Sequence, residues 1–253
     1  MFDDRDDVLD SDSDLGSTVS SDTDLLGSPD EDLAVTAVLA AAAAAATAAL
    51  DGAAAANDDT PDPVGMFRRW LDEYDGGSGL MKNAMHLSTV RADGQPRSRM
   101  VLLKGVDADG RFLFGTDGGS DKGREIAANP KVALLFYWGS RQVRVEGVAE
   151  PAPGPVSDAV FAERPRDHQI SAWASRQSAP VVRRDDLAER RRAFDRRFDV
   201  GPVPRPPNWG AFAVRPHRFE FWQLGAARLH DRVVHERSSS SLSGTWTTIR
   251  LQP

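Results

Sequence analysis

The chain has 253 residues and no cysteine, which excludes disulfides, thiolate zinc sites and cysteine nucleophiles. Its net charge of −7 is unevenly spread: residues 1–62 carry 16 acidic side chains and one arginine, whereas residues 63–253 carry 22 acidic and 30 basic side chains. The negative net charge therefore comes from the N-terminal 62 residues, and the part of the chain that is expected to fold has a positive net charge.

Residues 1–61 are predicted to form an acidic, alanine-rich and largely disordered extension. Dense negative charge and low hydrophobicity cannot offset the entropy lost on ordering. The alanine run from Ala40 to Ala49 favours a helix but buries little area, which leaves open a weakly helical appendage or a docked helix. Because the acidic start lacks the basic residues of a signal peptide and the apolar run is mostly alanine, we expect a cytoplasmic protein with no membrane segment.

Residues 62–253 contain many short apolar segments separated by turn residues, a pattern typical of strands. In chain order, the predicted elements are a helix from Pro63 to Gly76-Gly77, strands Ala84 to Arg91, Arg97 to Val106 and Phe112 to Thr116, a helix Lys122 to Ala128, strands Lys131 to Trp138 and Gln142 to Glu150, helices Val156 to Phe161 and Asp185 to Phe198, and strands Trp209 to Val214, Arg218 to Gln223, Arg228 to Glu236 and Thr245 to Leu251. This series favours a mainly β fold, an antiparallel barrel with peripheral helices.

Arg228, His230 and Arg232 alternate along one predicted strand close to Phe221-Trp222. Side chains two residues apart share a face of a strand, so two guanidinium groups and an imidazole would point the same way. Such a face suits an anionic, planar ligand. An exposed strand with a polar solvent side explains the same pattern equally well.

Two further segments carry cations suited to anions. Arg99 and Lys104 lie five residues apart on a predicted strand, on opposite faces, so they could serve two different anions, although a core strand with charged ends fits equally well. The loop Gly118-Gly119-Ser120 leads into a helix start with Lys122, where amide groups, a hydroxyl and an ammonium favour a phosphate. The loop lacks Walker spacing and Asp121 opposes an anion, so a plain glycine-rich connection is an equal alternative.

Neither a nucleic-acid surface nor a metal site is predicted. The arginines of the helix Asp185 to Phe198 alternate with acidic residues, which favours a salt-bridged solvent face. The five histidines lie mostly far apart and show no carboxylate pattern of metal-ligand type.

Taken in order, several short segments resemble the pyridoxamine 5′-phosphate oxidase family over roughly Asp62 to Pro253. The segments are Arg99-Met100-Val101-Leu102-Leu103-Lys104, Gly119-Ser120-Asp121-Lys122, Arg141-Gln142-Val143, Arg164-Pro165-Arg166-Asp167, Gln177-Ser178, Phe221-Trp222, Arg228-Leu229-His230-Asp231-Arg232 and Arg250-Leu251-Gln252-Pro253. Each segment is weak evidence alone, but the ordered set is specific.

The resemblance implies that residues 62–253 form a split β-barrel flavin oxidase domain, a homodimer that binds FMN at the subunit interface. The flavin-binding residues that it implies are Arg99, Val101, Leu102, Lys104, Thr116, Ser120, Lys122, Gln142, Gln177, Ser178, Trp222 and Arg232. The substrate-binding residues that it implies are Lys104, Arg164, His168, Arg228 and His230, of which Arg228 and His230 would act as the catalytic pair beside the substrate ring.

The resemblance also implies a reaction, in which a hydride passes from the substrate to FMN and O₂ takes the electrons to give hydrogen peroxide. The leading hypothesis is oxidation of pyridoxamine or pyridoxine 5′-phosphate to pyridoxal 5′-phosphate. One alternative is a phenazine-biosynthesis oxidase that acts on an anionic tricyclic substrate. A second alternative is a non-catalytic flavin-binding module with an acidic interaction tail.

Four positions depart from the family pattern. Asp121 stands where the family usually has an arginine, directly before the lysine that binds the flavin phosphate, here Lys122. Gly115 replaces a tyrosine on the flavin side. Val160 and His168 replace a tyrosine and a serine of the substrate phosphate cup. These changes bear on the substrate more than on the fold.

Overall fold

A short amphipathic helix begins the described part of the chain. The computed structural model describes residues 62–75, 81–237 and 245–253, so the predicted extension 1–61 lies outside the described residues. Helix α1 (Pro63–Glu73) begins after Asp62, whose Oδ1 accepts a hydrogen bond from Gly65 N at 2.9 Å. An acidic N-cap followed by proline at the first helical position satisfies the start of a helix, as the sequence predicts.

In the part of the chain that the structure describes, nine strands form one antiparallel sheet, which confirms the predicted mainly β fold. The strands are β1 (Ala84–Val90), β2 (Pro96–Leu102), β3 (Gly105–Val106), β4 (Phe112–Asp117), β5 (Lys131–Trp138), β6 (Arg141–Pro151), β7 (Trp209–Gln223), β8 (Asp231–Glu236) and β9 (Thr247–Arg250). The remaining helices are α2 (Asp121–Ala128), α3 (Gly154–Ala162), α4 (Arg166–Ala174) and α5 (Arg184–Arg197). Within the described ranges, no helix is both long and apolar enough to cross a bilayer.

The sheet curls because its two end strands are neighbours in sequence. The strand order is β2-β1-β5-β6-β7-β4-β3, with β8 paired to β7 and β9 to β8. Only Leu103 and Lys104 separate β2 from β3, so the two ends of the path must meet. At this junction Lys104 N donates to Leu113 O at 2.7 Å. The chain connection therefore forces the sheet towards a barrel.

Alternating side chains and one helix fill the barrel. Strand β5 alternates buried and more exposed residues along most of its length, as expected of a strand with one face in the core. Phe67 of α1 is fully buried, and its ring lies 4.7 Å from Phe112 and 4.8 Å from Phe136, centroid to centroid. Both contacts are edge-on, the arrangement that aromatic rings prefer. Helix α1 thus completes the core.

Several predicted boundaries were wrong. The predicted strand Arg97 to Val106 is divided into β2 and β3, so the opposite-face argument for Arg99 and Lys104 does not hold within one strand. The two predicted strands of residues 209–223 are one strand, β7, whose pairing with β6 shifts register at Glu146/Gly147. A bulge admits the extra residue beside Pro216, which explains how proline is accommodated inside a strand. Helix α4 was not predicted.

Candidate active site

Lys122 is the centre of a buried polar cluster at the start of α2. Its Nζ donates to Gln177 Oε1 at 2.8 Å, to Thr116 Oγ1 at 3.3 Å and to Ser120 Oγ at 3.4 Å. Thr116 comes from β4, Ser120 is the N-cap of α2, and Gln177 follows α4. The structure therefore brings together four of the predicted flavin-binding residues from three separate parts of the chain.

Arg99 lies beside this cluster. Its Nη2 donates at 3.1 Å to Oε2 of Glu125, which lies one helical turn after Lys122, so the two cations are neighbours. Burial, and then the charge of Arg99, lower the pKa of Lys122 below its ordinary value. Val101 and Leu102, on the same strand β2, are half-buried, and Val101 packs against the core. Two adjacent cations with the Thr116 and Ser120 hydroxyls form a donor set that fits a phosphate group.

Asp121 does not leave uncompensated negative charge at the helix start. Its Oδ2 accepts from Arg97 Nη1 at 2.9 Å and its Oδ1 from Arg124 Nη2 at 2.5 Å. The hydrogen bond from Arg97 holds the pKa of Asp121 below its usual range. Both arginines therefore offset the carboxylate that the sequence identified as opposing an anion.

The sequence suggested free backbone amides at the start of α2, but two of these amides already donate hydrogen bonds. Asp121 N donates to Ser178 Oγ at 3.1 Å, and Gly123 N donates to Ser120 Oγ at 3.3 Å. Ser178 adopts a left-handed backbone conformation, φ 68°, which an ordinary residue adopts at a cost of about 1 kcal/mol or more. The hydroxyl groups of Ser178 and Ser120 thus fix the first turn of α2 by accepting hydrogen bonds from its backbone amides.

A second group of predicted residues forms a row across strands β6, β7 and β8. Gln142 pairs with Trp222 across β6 and β7, and Trp222 pairs with Arg232 across β7 and β8. Residues directly opposite each other in an antiparallel pair share a face. Arg232 Nε and Nη2 donate to Glu220 Oε1 at 2.9 and 2.7 Å, and Nη1 donates to Gln252 O at 3.0 Å. The row is therefore rigidly held at its Arg232 end.

The predicted strand that would carry Arg228 and His230 begins only at Asp231. Residues 226–228 form a 3₁₀ turn in which Ala227 and Arg228 have φ of 51° and 63°. Gly225 makes the turn possible, because a Cβ there would lie 1.9 Å from Leu229 O. The three basic residues therefore do not share one strand face.

The turn instead brings His230 back onto Trp222. Their ring centroids lie 4.7 Å apart, and His230 Nδ1 accepts from Gly225 N at 3.2 Å. Arg228 is exposed. Consecutive non-glycine residues with positive φ are costly and occur preferentially at functional sites, which marks this turn as a candidate site on its own evidence.

The predicted substrate cup is partly assembled. The Arg164 guanidinium lies 5.1 Å from the Trp209 ring centroid, and its Nη2 donates to the backbone oxygen of His168 at 3.3 Å. Its buried Nε has no partner among the described residues. Burial raises the pKa of the adjacent Glu163, and the charge of Lys104 opposes that shift. The structure thus brings Arg164 and His168 together, and Lys104 acts on this segment through its charge.

Trp209 gives the physical reason for two departures from the family pattern. A Cβ on Gly115 would lie 2.5 Å from Trp209 Cη2, so the ring leaves no room for a larger side chain. Val160 is 3% exposed and belongs to the same apolar cluster as Trp209. Residue 160 therefore supplies packing at this position instead of a hydroxyl.

The polar residues around Lys122 (the Lys122 cluster) and the row of Gln142, Trp222 and Arg232 (the Trp222 row) are separate within one chain. Among the described residues, no hydrogen bond or ring contact joins Lys122 or Gln177 to Gln142, Trp222 or Arg232. Residues that hold the two groups in place were not predicted. They are Thr89 and Glu125 beside Arg99, and Glu220 beside Arg232. Glu125 could have been found from the sequence, because it lies three residues after Lys122 and so shares a face of the helix with it.

Comparison with known proteins identifies the family. Residues 80–198 match the family model described as pyridoxamine 5′-phosphate oxidase, and residues 209–253 match the pyridoxine 5′-phosphate oxidase C-terminal dimerisation region. A pyridoxine/pyridoxamine 5′-phosphate oxidase of Rubrobacter xylanophilus is 51% identical over 195 residues, which cover 76% of this chain and 88% of that protein. One of the same name from Cupriavidus metallidurans is 45% identical over 203 residues, which cover 79% and 93%.

Solved structures agree on the fold. PhzG from Burkholderia lata 383, in complex with tetrahydrophenazine-1-carboxylic acid, superposes with a TM-score of 0.70 at 29% identity, covering 78% of this chain and 95% of that one. A pyridoxamine 5′-phosphate oxidase-related, FMN-binding protein from Nostoc punctiforme has a TM-score of 0.60 at 18% identity, covering 76% and 98%. The split-barrel prediction is thereby confirmed. The chain belongs to the pyridoxamine 5′-phosphate oxidase family of flavin-dependent oxidoreductases.

Proposed function

We propose that the chain is an FMN-dependent oxidase that converts pyridoxamine or pyridoxine 5′-phosphate to pyridoxal 5′-phosphate, with O₂ giving hydrogen peroxide. The proposal is supported by two groups of cations. Lys122 lies in the first turn of α2, and Arg99 donates a hydrogen bond to a carboxylate one turn later on the same helix. The second group contains Arg164, whose buried Nε has no partner among the described residues and whose neighbour Glu163 is acted on by the charge of Lys104. Cofactor and substrate each carry one phosphate, so the reaction needs two anion sites.

The Lys122 cluster is assigned to the FMN phosphate. Lys122 and Arg99 supply charge, while Thr116 and Ser120 supply hydroxyl groups within hydrogen-bonding distance of Lys122. A phosphate oxygen would replace Gln177 Oε1 as an acceptor for Lys122. FMN, when bound, supplies the hydride acceptor and the reaction with O₂, and the protein supplies binding and orientation.

A homodimer is proposed to complete the site. The Lys122 cluster and the Trp222 row are not joined within one chain, and residues 209–253 match a dimerisation region. The row of Gln142, Trp222 and Arg232 would then contact the flavin bound by a second copy. This arrangement explains why the flavin-binding residues implied by the family resemblance form two separate groups in one chain.

Arg228 and His230 are assigned to the substrate ring. The amide of Gly225 donates to His230 Nδ1, so a neutral imidazole carries its proton on Nε2. Packing against Trp222 and the strained turn fix the direction of the imidazole. These residues orient the substrate, which suits a reaction that depends on position more than on acid or base groups.

A second candidate substrate is a reduced phenazine carboxylate. The structurally similar PhzG was solved with tetrahydrophenazine-1-carboxylic acid. Val160 and His168 in this chain lack the hydroxyl groups of the tyrosine and serine that the family resemblance assigns to the substrate phosphate cup, and Gly115 lacks that of a tyrosine on the flavin side. A cup with fewer hydroxyl donors is suited less to a phosphate than to a carboxylate.

Turnover of purified holoprotein distinguishes these substrates. We expect peroxide and pyridoxal 5′-phosphate from pyridoxamine and pyridoxine 5′-phosphate, with little turnover of a dihydrophenazine carboxylate. The reverse preference would select the second candidate. A protein with full flavin occupancy that oxidises neither class would contradict both.

Arg228→Ala is expected to lower kcat with pyridoxine 5′-phosphate by about tenfold, because the ring loses one orienting charge-assisted contact. FMN affinity should stay within about twofold of the unaltered protein. Steady-state kinetics and flavin titration measure the two quantities. Arg184→Ala, on the exposed start of α5, is the matched control. If Arg228→Ala turns over normally, the assignment of this turn is wrong.

FMN affinity is expected to fall at alkaline pH earlier than an ordinary lysine would allow. Burial and Arg99 lower the pKa of Lys122 below 10.5. Since a phosphate binds the protonated ammonium, affinity is complete below this lowered pKa and is lost as the pH rises through it. Titration of the apoprotein with FMN and riboflavin at several pH values tests this. A parallel loss for both flavins would exclude Lys122 as the cause.

A further inference from the structure

Glu125 lies on the inner side of α2, one turn after Lys122, and only 7% of its side chain is exposed. Its Oε2 accepts from Arg99 Nη2 at 3.1 Å and from Thr89 Oγ1 at 2.5 Å, and its Oε1 accepts from Arg97 Nη1 at 3.0 Å. Burial raises the pKa of Glu125, but the hydrogen bonds from Thr89 and Arg97 and the charge of Arg99 bring it below its usual value. Glu125 is therefore an ionised acceptor for three donors.

The guanidinium of Arg99 is fixed by these contacts. Nη1 donates to Leu87 O at 3.1 Å and to Thr89 Oγ1 at 2.5 Å, and Nη2 gives one hydrogen to Glu125. A guanidinium has five N–H groups, so Nε and the second Nη2 hydrogen have no acceptor among the described residues. A planar group held in advance loses little conformational entropy when its remaining donors bind an oxyanion.

We propose that Glu125 is a positioning residue for the FMN phosphate, which it serves by holding the guanidinium of Arg99 beside Lys122 in its binding orientation. The proposal rests on the assignment of the Lys122 cluster to FMN. Arg97 also links Glu125 to Asp121, since its Nη1 donates to both carboxylates. The acidic residue at the start of α2 is therefore part of the same network.

Removing Glu125 has two opposed effects on phosphate binding. Loss of a negative charge near the site favours the phosphate, whereas loss of the acceptor releases Arg99. Glu125→Gln and Glu125→Ala remove the same charge, but only glutamine retains a carbonyl oxygen that can accept from Arg99 and Thr89. The difference between the two variants therefore isolates the orientation of Arg99.

Dissociation constants of FMN and riboflavin with each apoprotein test the proposal, because riboflavin lacks the phosphate. We expect Glu125→Ala to bind FMN about tenfold more weakly than Glu125→Gln, with riboflavin affinities of the two variants within about twofold. Thr89→Val, which removes a hydroxyl but keeps the volume, is expected to weaken FMN binding selectively as well. It provides the test if Glu125→Ala does not fold. Glu189→Ala, an exposed carboxylate on α5, is the control.

Equal FMN affinities for Glu125→Gln and Glu125→Ala would overturn the proposal, as would a parallel loss of FMN and riboflavin. If the unaltered apoprotein does not prefer FMN to riboflavin, the assignment of the Lys122 cluster to the phosphate fails instead. The two failures are thus distinguishable in one set of titrations.

Discussion

Lys122→Met is expected to weaken FMN binding by about tenfold to a hundredfold, because a charge-assisted hydrogen bond contributes roughly 1.5–3 kcal/mol. Riboflavin affinity should change by less than about twofold, since the lost partner is the phosphate. Methionine matches the length of the lysine stem and removes a buried charge whose pKa is already depressed by burial. We therefore expect the apoprotein to remain folded. Fluorescence titration with both flavins measures the effect.

Lys131→Met is the matched control for this prediction. Lys131 is an exposed lysine at the start of β5, outside the Lys122 cluster. Its substitution should leave the affinity for either flavin unchanged. If Lys122→Met binds FMN as tightly as the unaltered protein, the phosphate does not lie at this cluster, and the proposed cofactor site moves elsewhere.

Gly123→Ala is expected to lower the free energy of unfolding by about 2–3 kcal/mol and the melting temperature by roughly 5–10 °C. Alanine in a helix normally gains about 1 kcal/mol over glycine. Here a Cβ would lie 2.3 Å from Gly118 O, and this backbone oxygen cannot move without displacing the loop that carries Ser120. The steric cost therefore exceeds the gain in helix propensity. Thermal unfolding of the apoprotein measures the result.

The same substitution should also weaken FMN binding selectively, because it shifts the loop and helix start that hold Ser120 and Lys122. Gly154→Ala is the control: Gly154 begins α3 and has open space around its Cα. This control should change the melting temperature by no more than about 2 °C. A stabilised Gly123→Ala protein would show that α2 does not pack on the loop as described.

The periodicity of the sequence identified most strands because apolar and polar residues alternate where one face of a strand is buried. Strand β5 was predicted with its observed bounds, Lys131–Trp138. The prediction was wrong where local rules compete with tertiary contacts. Residues 209–223 were predicted to form two strands, but pairing with β6 continues β7 past Pro216 by a bulge. Helix α4 was not predicted because its polar and apolar residues do not follow a clear helical period.

Local sequence also misplaced Arg228 and His230. Alternating basic residues suggested one extended strand, yet two residues with positive φ turn the chain and place His230 on Trp222. Positive φ at alanine and arginine is not encoded by local preference. It is imposed by the surrounding fold, so no periodicity could have indicated it.

The sequence by itself determined the family, the mainly β fold and the identity of the cationic side chains, because these depend on residue type and order along the chain. Only the tertiary structure decided which of them meet. Lys122, Thr116 and Gln177 come together because the curled sheet and the helix start converge there, and Glu125 fixes Arg99 across the gap between α2 and β2. Such contacts join residues far apart in sequence, and they depend on chain closure and packing, which no local pattern specifies.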